Sequence, residues 1–245
     1  MKLNQLVIKL MKLRLRLTNI HKRDPYYFTK ILKKEGIHIG NNTIFYDPLS
    51  QTIDRERPWM IEIGDYCKIT KGTIILAHDY SRSVLRRKYG EVIGEAGTTT
   101  IGDNVFIGMN SIILMGTHIG NNVIVGAGSV VHGNVPDNCV IAGNPARIIK
   151  TLDQHYEDRK GKTVSEAIEY ARTFNERYKR YPTIREMNAF FSLFMERDID
   201  TLKNSGINLH MNGDNYDEII EAFMNSKGLF DGYDDFIKEV KKYDI

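Results

Sequence analysis

Cysteine is scarce in this chain: there are two among 245 residues. Cys67 and Cys139 share no metal-type spacing, and one pair cannot make the disulfide framework of a small secreted domain. No disulfide is therefore expected, and a reducing cytoplasm fits. Long apolar runs are missing as well. None approaches the roughly 20 residues that cross a bilayer, and the basic N-terminus is not followed by a secretory apolar core and cleavage site. Charge excess is missing too: Lys and Arg number 34, Asp and Glu 31, for a net +3. That balance carries no global polyanion-binding signature and argues against a nucleic-acid partner. Residues 1–40 hold no Gly-rich phosphate fingerprint. The charge is uneven, however, because residues 1–34 carry ten Lys or Arg against Asp24 alone. Leu3, Leu6, Leu10, Leu13 and Leu17 fall near helical spacing there. They predict a helix that packs on the body of the protein or touches a membrane surface.

What the chain does have is a period. Six consecutive six-residue blocks begin at Ile101, Ile107, Ile113, Ile119, Val125 and Val131. The first position is Ile or Val. The second is usually Gly, with Leu114 and His132 as exceptions. The fourth is always Asn or Gly (Asn104, Asn110, Gly116, Asn122, Gly128, Asn134), and the fifth is small or β-branched. Asn and Gly tolerate the left-handed backbone region at least cost, so one every six residues predicts a corner every six. Three short segments and three corners close a coil of about 18 residues, and stacked coils bury a core that none could bury alone. Neither 3.6 nor 3.5 divides this spacing, which excludes a helix. Blocks at Ile63, Ile69 and Ile75 are in phase with one another, and Ile39 starts an earlier run. The phase is lost from about Phe45 to Met60 and again between Tyr80 and Thr100. The second gap is polar and contains Gly, and reads as a loop over residues 81–99 thrown out of the coil, where function often resides. Cys67 takes a small fifth position and should be buried.

After Lys150 the pattern changes. Thr163-Val-Ser-Glu166 and Thr183-Ile-Arg-Glu186 read as capping boxes, with apolar residues at helical spacing behind each and further short helices near 215–226 and 232–242. The expected organisation is a basic, helical segment over 1–36, a β-coil domain over 37–150 and a helical extension over 151–245. The extension carries no chemical motif, and its aromatics read as core. His78 stands where later blocks have Asn or Gly, hence at an outward corner just before the loop leaves.

The blocks resemble the hexapeptide-repeat family, and the stretch Gly72 to Lys150 is similar to its acetyltransferases of the maltose, galactoside and xenobiotic type. The residues carrying this are Ala77-His78-Asp79, Ile101-Gly-Asp-Asn-Val-Phe-Ile-Gly108, Val125-Gly-Ala-Gly-Ser-Val-Val131 and Gly143-Asn-Pro-Ala-Arg147. The resemblance implies a mainly β fold, a left-handed parallel β-helix with an α-helical N-terminal segment and an α-helical C-terminal extension. It implies acetyl-CoA as cosubstrate, no metal, and a homotrimer with active sites between subunits. His78 would be the general base, since a neutral imidazole can take a hydroxyl proton near pH 7. The Met109 backbone amide would face the oxyanion. Coenzyme A would lie along Phe106, Met109, Ala127, His132 and Gly133, with Arg147 and Lys150 at its phosphates. His132-Gly133 departs from the family's usual Thr-Lys. Acceptor contacts are expected from Asp54, Glu56, Trp59, Tyr80 and Arg82. The acceptor would be a sugar-type molecule or glycan, and the helical extension resembles acetyltransferases of surface-polysaccharide assembly. Three alternatives stand beside O-acetyl transfer. They are N-transfer to an amino sugar, a non-catalytic solenoid, and a metal site at His78, His118 and His132 resembling γ-class carbonic anhydrase, although no His-x4-His spacing exists.

Overall fold

A corner every six residues leaves room only for very short strands, and two-residue strands dominate the computed structural model, which describes residues 24–209 and 215–244. In chain order they are β1 (His38–Ile39), β2 (Ile44–Phe45), β3 (Thr52–Ile53), β4 (Ile61–Ile63), β5 (Lys68–Ile69), β6 (Ile74–Ile75), β7 (Thr99–Ile101), β8 (Phe106–Ile107), β9 (Ile112–Ile113), β10 (His118–Ile119), β11 (Ile124–Val125), β12 (Val130–Val131), β13 (Asn134–Val135), β14 (Cys139–Gly143) and β15 (Ala146–Thr151). Successive strands pass in rotation to three sheets, ordered β1-β4-β7-β10-β13, β2-β5-β8-β11-β14 and β3-β6-β9-β12. Every pairing within these is parallel, and only β15 joins β14 antiparallel. The chain is thus a three-faced parallel coil.

Register explains the core. Ile107 lies between Ile69 and Val125, and Ile113 between Ile75 and Val131. First-position side chains therefore stack in columns, and all six of these are essentially buried. The small fifth positions are buried too, and their hydroxyls are satisfied locally. Ser111 Oγ donates to the Gly108 carbonyl at 2.8 Å, and Ser129 Oγ to that of Gly126 at 2.6 Å. A buried hydroxyl at this position is therefore no penalty. The corners turn where expected, with φ of 54° at Asn104, 58° at Asn110 and 56° at Asn122. The second-position Gly has a different cause. A Cβ on Gly108 would stand 2.4 Å from the Ala127 amide nitrogen in the next coil.

Four expectations are corrected. The sixth block does not repeat the others: Gly133, not Asn134, takes the left-handed turn. Asn134 already lies in β13, with Val135 opposite Ile119, so this corner is two residues shorter. The phase break before Met60 is not a break in the coil. The strand β3 lies within it, flanked by single 3-10 turns at Pro48–Ser50 and Pro58–Met60 that swell the corners. The segment 81–99 is not all loop: Arg82–Tyr89 forms a helix that buries none of its side chains and ends at Gly90 with φ 76°. The run of Arg, Leu and Lys between Ser81 and Gly90 favours it. The fourth correction lies beyond the coil.

An earlier helix, Pro25–Glu35, opens on Asp24, whose carboxylate accepts from the Tyr26 amide at 2.8 Å. Its Leu32 is fully buried, and Phe28 meets Phe45 edge-on, 5.4 Å between centroids. Numbered in order, this helix is α1 and Arg82–Tyr89 is α2. The leucine repeat of residues 3–17 lies outside the described residues.

Compactness divides the chain between His155 and Tyr156. The helices from there on are α3 (Leu152–Tyr178), α4 (Ile199–Asn204), α5 (Tyr216–Met224) and α6 (Tyr233–Lys241). Thr163 does not cap a helix, because α3 runs straight through it, and its hydroxyl donates back to the Arg159 carbonyl at 2.8 Å. The capping box of α3 is Thr151-Leu-Asp-Gln154, in which each side chain accepts from the other residue's amide. Thr183 and Glu186 do make the reciprocal pair, but it opens a turn and a 3-10 segment, Asn188–Leu193. The second core gathers Met187, Phe194, Leu202, Phe223, Phe236 and Val240.

Candidate active site

The site forms where two swollen corners meet. Asp54 is the first residue after β3, held by its amide to the Ile75 carbonyl at 2.9 Å. Because β3 pairs with β6, the chain leaving β6 passes directly over it. Asp54 Oδ2 accepts the Ala77 amide at 3.1 Å and the Nδ1–H of His78, a very close contact, while Oδ1 accepts the Glu56 amide at 3.0 Å. The Asp54 side chain is 3% exposed and that of His78 9%. Burial pushes the Asp54 carboxyl up, but the His78 bond and the two amides outweigh it, and its pKa ends below the ordinary carboxylate value. An ionised carboxylate can only accept, so Nδ1 carries a proton, and in the neutral tautomer this selects it is Nε2 that has the lone pair.

That Nε2 faces a hollow of about 400 Å³ lined by Asp54, Glu56, Leu76, Asp79 and Tyr80 among others. Glu56 Oε2 is 3.3 Å from Nε2, and the Tyr80 hydroxyl lies 3.3 Å from both Glu56 oxygens. The Tyr80 ring stands edge-on to the imidazole at 5.4 Å. Such a site can hold a hydroxyl group and remove its proton. Two sequence expectations change here. His78 stands at its corner but is covered, 9% exposed, and its backbone is not left-handed. Asp54, expected among the acceptor contacts, sits behind the imidazole and orients it. Of the other expected acceptor contacts, Glu56 and Tyr80 line the hollow. Arg82 lines a neighbouring one that shares Tyr80. Trp59 is 70% exposed on the Pro58–Met60 turn and lines neither. Asp54 and His78 lie 24 residues apart, off the 18-residue register, which is why no periodic reading paired them.

The residues expected along the donor fall into two groups. Met109 and Ala127 occupy equivalent corners of successive coils between the second and third sheets, and the Gly128 amide donates to the Met109 carbonyl at 2.8 Å. Phe106 is half-exposed on β8 beside them. His132, Gly133 and Arg147 line a separate hollow of about 570 Å³ with Pro136, Ala146 and Ile148. Among the described residues Arg147 Nη1 donates to its neighbour's carbonyl, Ala146, at 2.9 Å, which leaves guanidinium donors for phosphate. Lys150 lies on β15 opposite Val140. Within one chain His78 follows a third-sheet strand and Met109 a second-sheet strand. They stand on different edges of the coil and make no common centre.

His78, His118 and His132 do not cluster: among the described residues no group of three His, Cys, Asp or Glu side chains is placed to hold a metal ion. A hollow of about 560 Å³ in the helical unit, lined by Tyr170, Phe174, Arg177 and Tyr178 among others, holds no base–carboxylate pair.

Residues 98–132 match the family model described as the hexapeptide repeat of succinyl-transferase. Protein CapG of Staphylococcus aureus is 40% identical over 149 residues, covering 61% of this chain and 83% of CapG. The galactoside O-acetyltransferase of Escherichia coli is 36% identical over 135 residues, covering 54% of this chain and 62% of that enzyme. A solved hexapeptide-repeat acetyltransferase from Vibrio cholerae, complexed with acetyl coenzyme A, is 31% identical over 48% of this chain and 61% of that one, with a TM-score of 0.40. The chain belongs to the hexapeptide-repeat acetyltransferase family. By class it is an acetyltransferase.

Proposed function

We propose that this protein transfers an acetyl group from acetyl-CoA to a hydroxyl of a sugar or surface-polysaccharide precursor. The observation that carries this reading is the buried Asp54–His78 pair whose Nε2 opens onto a hollow lined by Glu56 and Tyr80. Asp54 fixes the imidazole tautomer and steadies the cation that forms. Nε2 takes the acceptor hydroxyl's proton as its oxygen attacks the thioester carbonyl, and the proton then goes to the departing thiolate. Glu56, beside Nε2, holds the hydroxyl. His132, Gly133, Arg147 and Lys150 hold the donor, with guanidinium and ammonium groups suiting its phosphates.

The amide of Met109 serves the oxyanion of a neighbouring subunit's reaction. Because His78 and Met109 stand on different edges of one coil, a complete centre calls for a second copy, and a cyclic homotrimer supplies three. The coil is left-handed, the working boundaries are 37–150 for the acyltransferase domain and 151–245 for the extension, and the enzyme acts in the cytoplasm. The resemblance to galactoside O-acetyltransferase supports a sugar hydroxyl as acceptor. His78→Ala is expected to lower turnover about 10²–10⁴-fold, with acetyl-CoA affinity, measured by calorimetry, little changed. Near-wild-type turnover would remove His78 from the mechanism. Asp54→Asn, which presents the wrong tautomer, should also lose on the order of 10²–10⁴-fold.

A further inference from the structure

Beside the His78 hollow lies a second one of about 330 Å³, lined by Tyr80, Arg82, Ser83, Arg86, Val92 and Ile93. Tyr80 is the wall between the two. The second hollow has two guanidinium groups and no carboxylate in its lining. Helix chemistry does not account for them. Arg82 sits in the first turn of α2, where a cation opposes the helix dipole, and that turn holds no acid. Arg82 and Arg86 are one turn apart on the same face, and like charges at that spacing repel. Among the described residues neither makes an ion pair: Arg82 reaches the Asp79 carbonyl at 3.4 Å, and its guanidinium stands 5.5 Å from the Tyr80 ring centre. The charge of Arg82 is felt at Asp79, but the nearby acids make their hydrogen bonds elsewhere. Asp79 accepts the Ser81 amide at 2.8 Å, Glu95 accepts the Ser81 hydroxyl at 3.4 Å, and Glu56 lies on the far side of Tyr80.

We infer that Arg82 and Arg86 form an anion subsite that selects an acceptor bearing a carboxylate or phosphate group next to the hydroxyl that is acetylated. This rests on the reading of the His78 hollow as the acceptor site. The division of charge suits such a molecule. Carboxylates around Nε2 receive its hydroxyls, and a pair of planar guanidinium forks receives its anion across Tyr80.

Three probes separate the sources of the anion: methyl β-D-glucuronide, glucose 1-phosphate and neutral methyl β-D-glucoside. Each would be titrated into the full chain saturated with coenzyme A and followed by NMR. At least one anionic sugar is expected to bind about 10- to 100-fold more tightly than the glucoside, and which one does so names the group. Arg82→Gln/Arg86→Gln should collapse that ratio toward one, whereas a merely structural defect would weaken all three alike. Arg86→Lys, which keeps the charge without the fork, should recover part of it. Equal binding of the three sugars, no binding of either anionic sugar, or a preference that survives the double substitution would overturn the inference. Acetyl transfer, assayed separately with the same three sugars, tests the acceptor-site reading itself. Anion preference without any transfer would leave the subsite and remove the reading beneath it.

Discussion

The coil and the helical unit solve the same burial problem in opposite ways. In the coil each buried side chain rests on its own counterpart one turn away: Ile113 lies between Ile75 and Val131, and Ile107 between Ile69 and Val125. The core is therefore a set of columns, and its stability is close to a sum of repeats and nearest-neighbour terms. In the helical unit unlike residues meet once. Phe236 is stacked on Phe194 at 5.2 Å and met edge-on by Phe230 at 5.3 Å. No position there has an equivalent, so no single contact is backed up by a copy of itself. The coil is correspondingly tolerant along its columns and intolerant between its layers, where backbones approach too closely to admit a side chain. The helical unit concentrates its sensitivity in a few aromatic rings.

Two sets of substitutions should break that symmetry of purpose, the larger first. Gly108→Val drives a Cβ to within 2.4 Å of the Ala127 amide nitrogen. Backbone cannot yield as a side chain tip can, so a loss of about 3 kcal/mol or more is expected from overpacking. Gly116→Asn is the control. Gly116 has φ 71° and open space around its missing Cβ, so Asn should cost well under 1 kcal/mol there. Urea unfolding of both variants, read by amide exchange in the coil, decides the matter, and equal midpoints would mean that layer spacing is not the constraint. Next comes Phe236→Ala, expected to cost about 3–5 kcal/mol in the helical unit, against about 0.5–1.5 for Ile113→Val in the coil. If exchange protection fell equally in both units on Phe236→Ala, the two would fold as one cooperative body.

How much of this was legible follows from the same contrast. A column shows itself in sequence because its members recur, so the blocks from Ile101 revealed the family, the strands and the corners. The shortened corner at Gly133 was hidden because Asn134 still satisfied the pattern while the register had moved. Corners swollen by Pro48–Ser50 and Pro58–Met60 concealed β3, since the two extra turns displaced Ile53 from the period without displacing it from the core. The Asp54–His78 pair was invisible for that reason: it joins two irregular corners, and irregularity is what a periodic reading discards. His78 itself was found through a resemblance, and position alone suggested an exposed corner. In the helical unit, Thr163-Val-Ser-Glu166 was misread because a local motif cannot show that Glu166 is taken by Arg159, with guanidinium–carboxylate contacts of 2.6 and 2.8 Å inside a continuous helix. Arg86 drew no notice in a run of basic residues, and only the hollow it shares with Arg82 sets it apart.

The smallest expected effect sharpens the comparison at the two ends of the pH scale. The Arg180 guanidinium, which makes bonds of 2.7 and 2.8 Å to Glu186, and then the Thr183 amide draw the Glu186 pKa down to about 2. A carboxyl whose folded pKa is depressed contributes stability above its unfolded value, and that contribution disappears as pH falls through the folded one. Burial, then the charges of Glu186 and Asp234, push the Tyr233 phenol up to about 12. Its folded state holds the proton longer than the unfolded state does, so the stability it contributes is complete below about pH 10 and is lost as pH rises toward 12. The helical unit should therefore lose protection between about pH 4.5 and 2 and between about pH 10 and 12. Exchange or circular dichroism followed across pH would read both limbs. Glu186→Gln should flatten the acid limb and also reduce the alkaline one, because the Glu186 charge helps raise the Tyr233 phenol, whereas Tyr233→Phe should flatten the alkaline limb and leave the acid limb in place. Acid and alkaline limbs unchanged in their respective variants would show that other groups set the range, and that the helical unit is no more specialised at Glu186 and Tyr233 than the coil is along its columns.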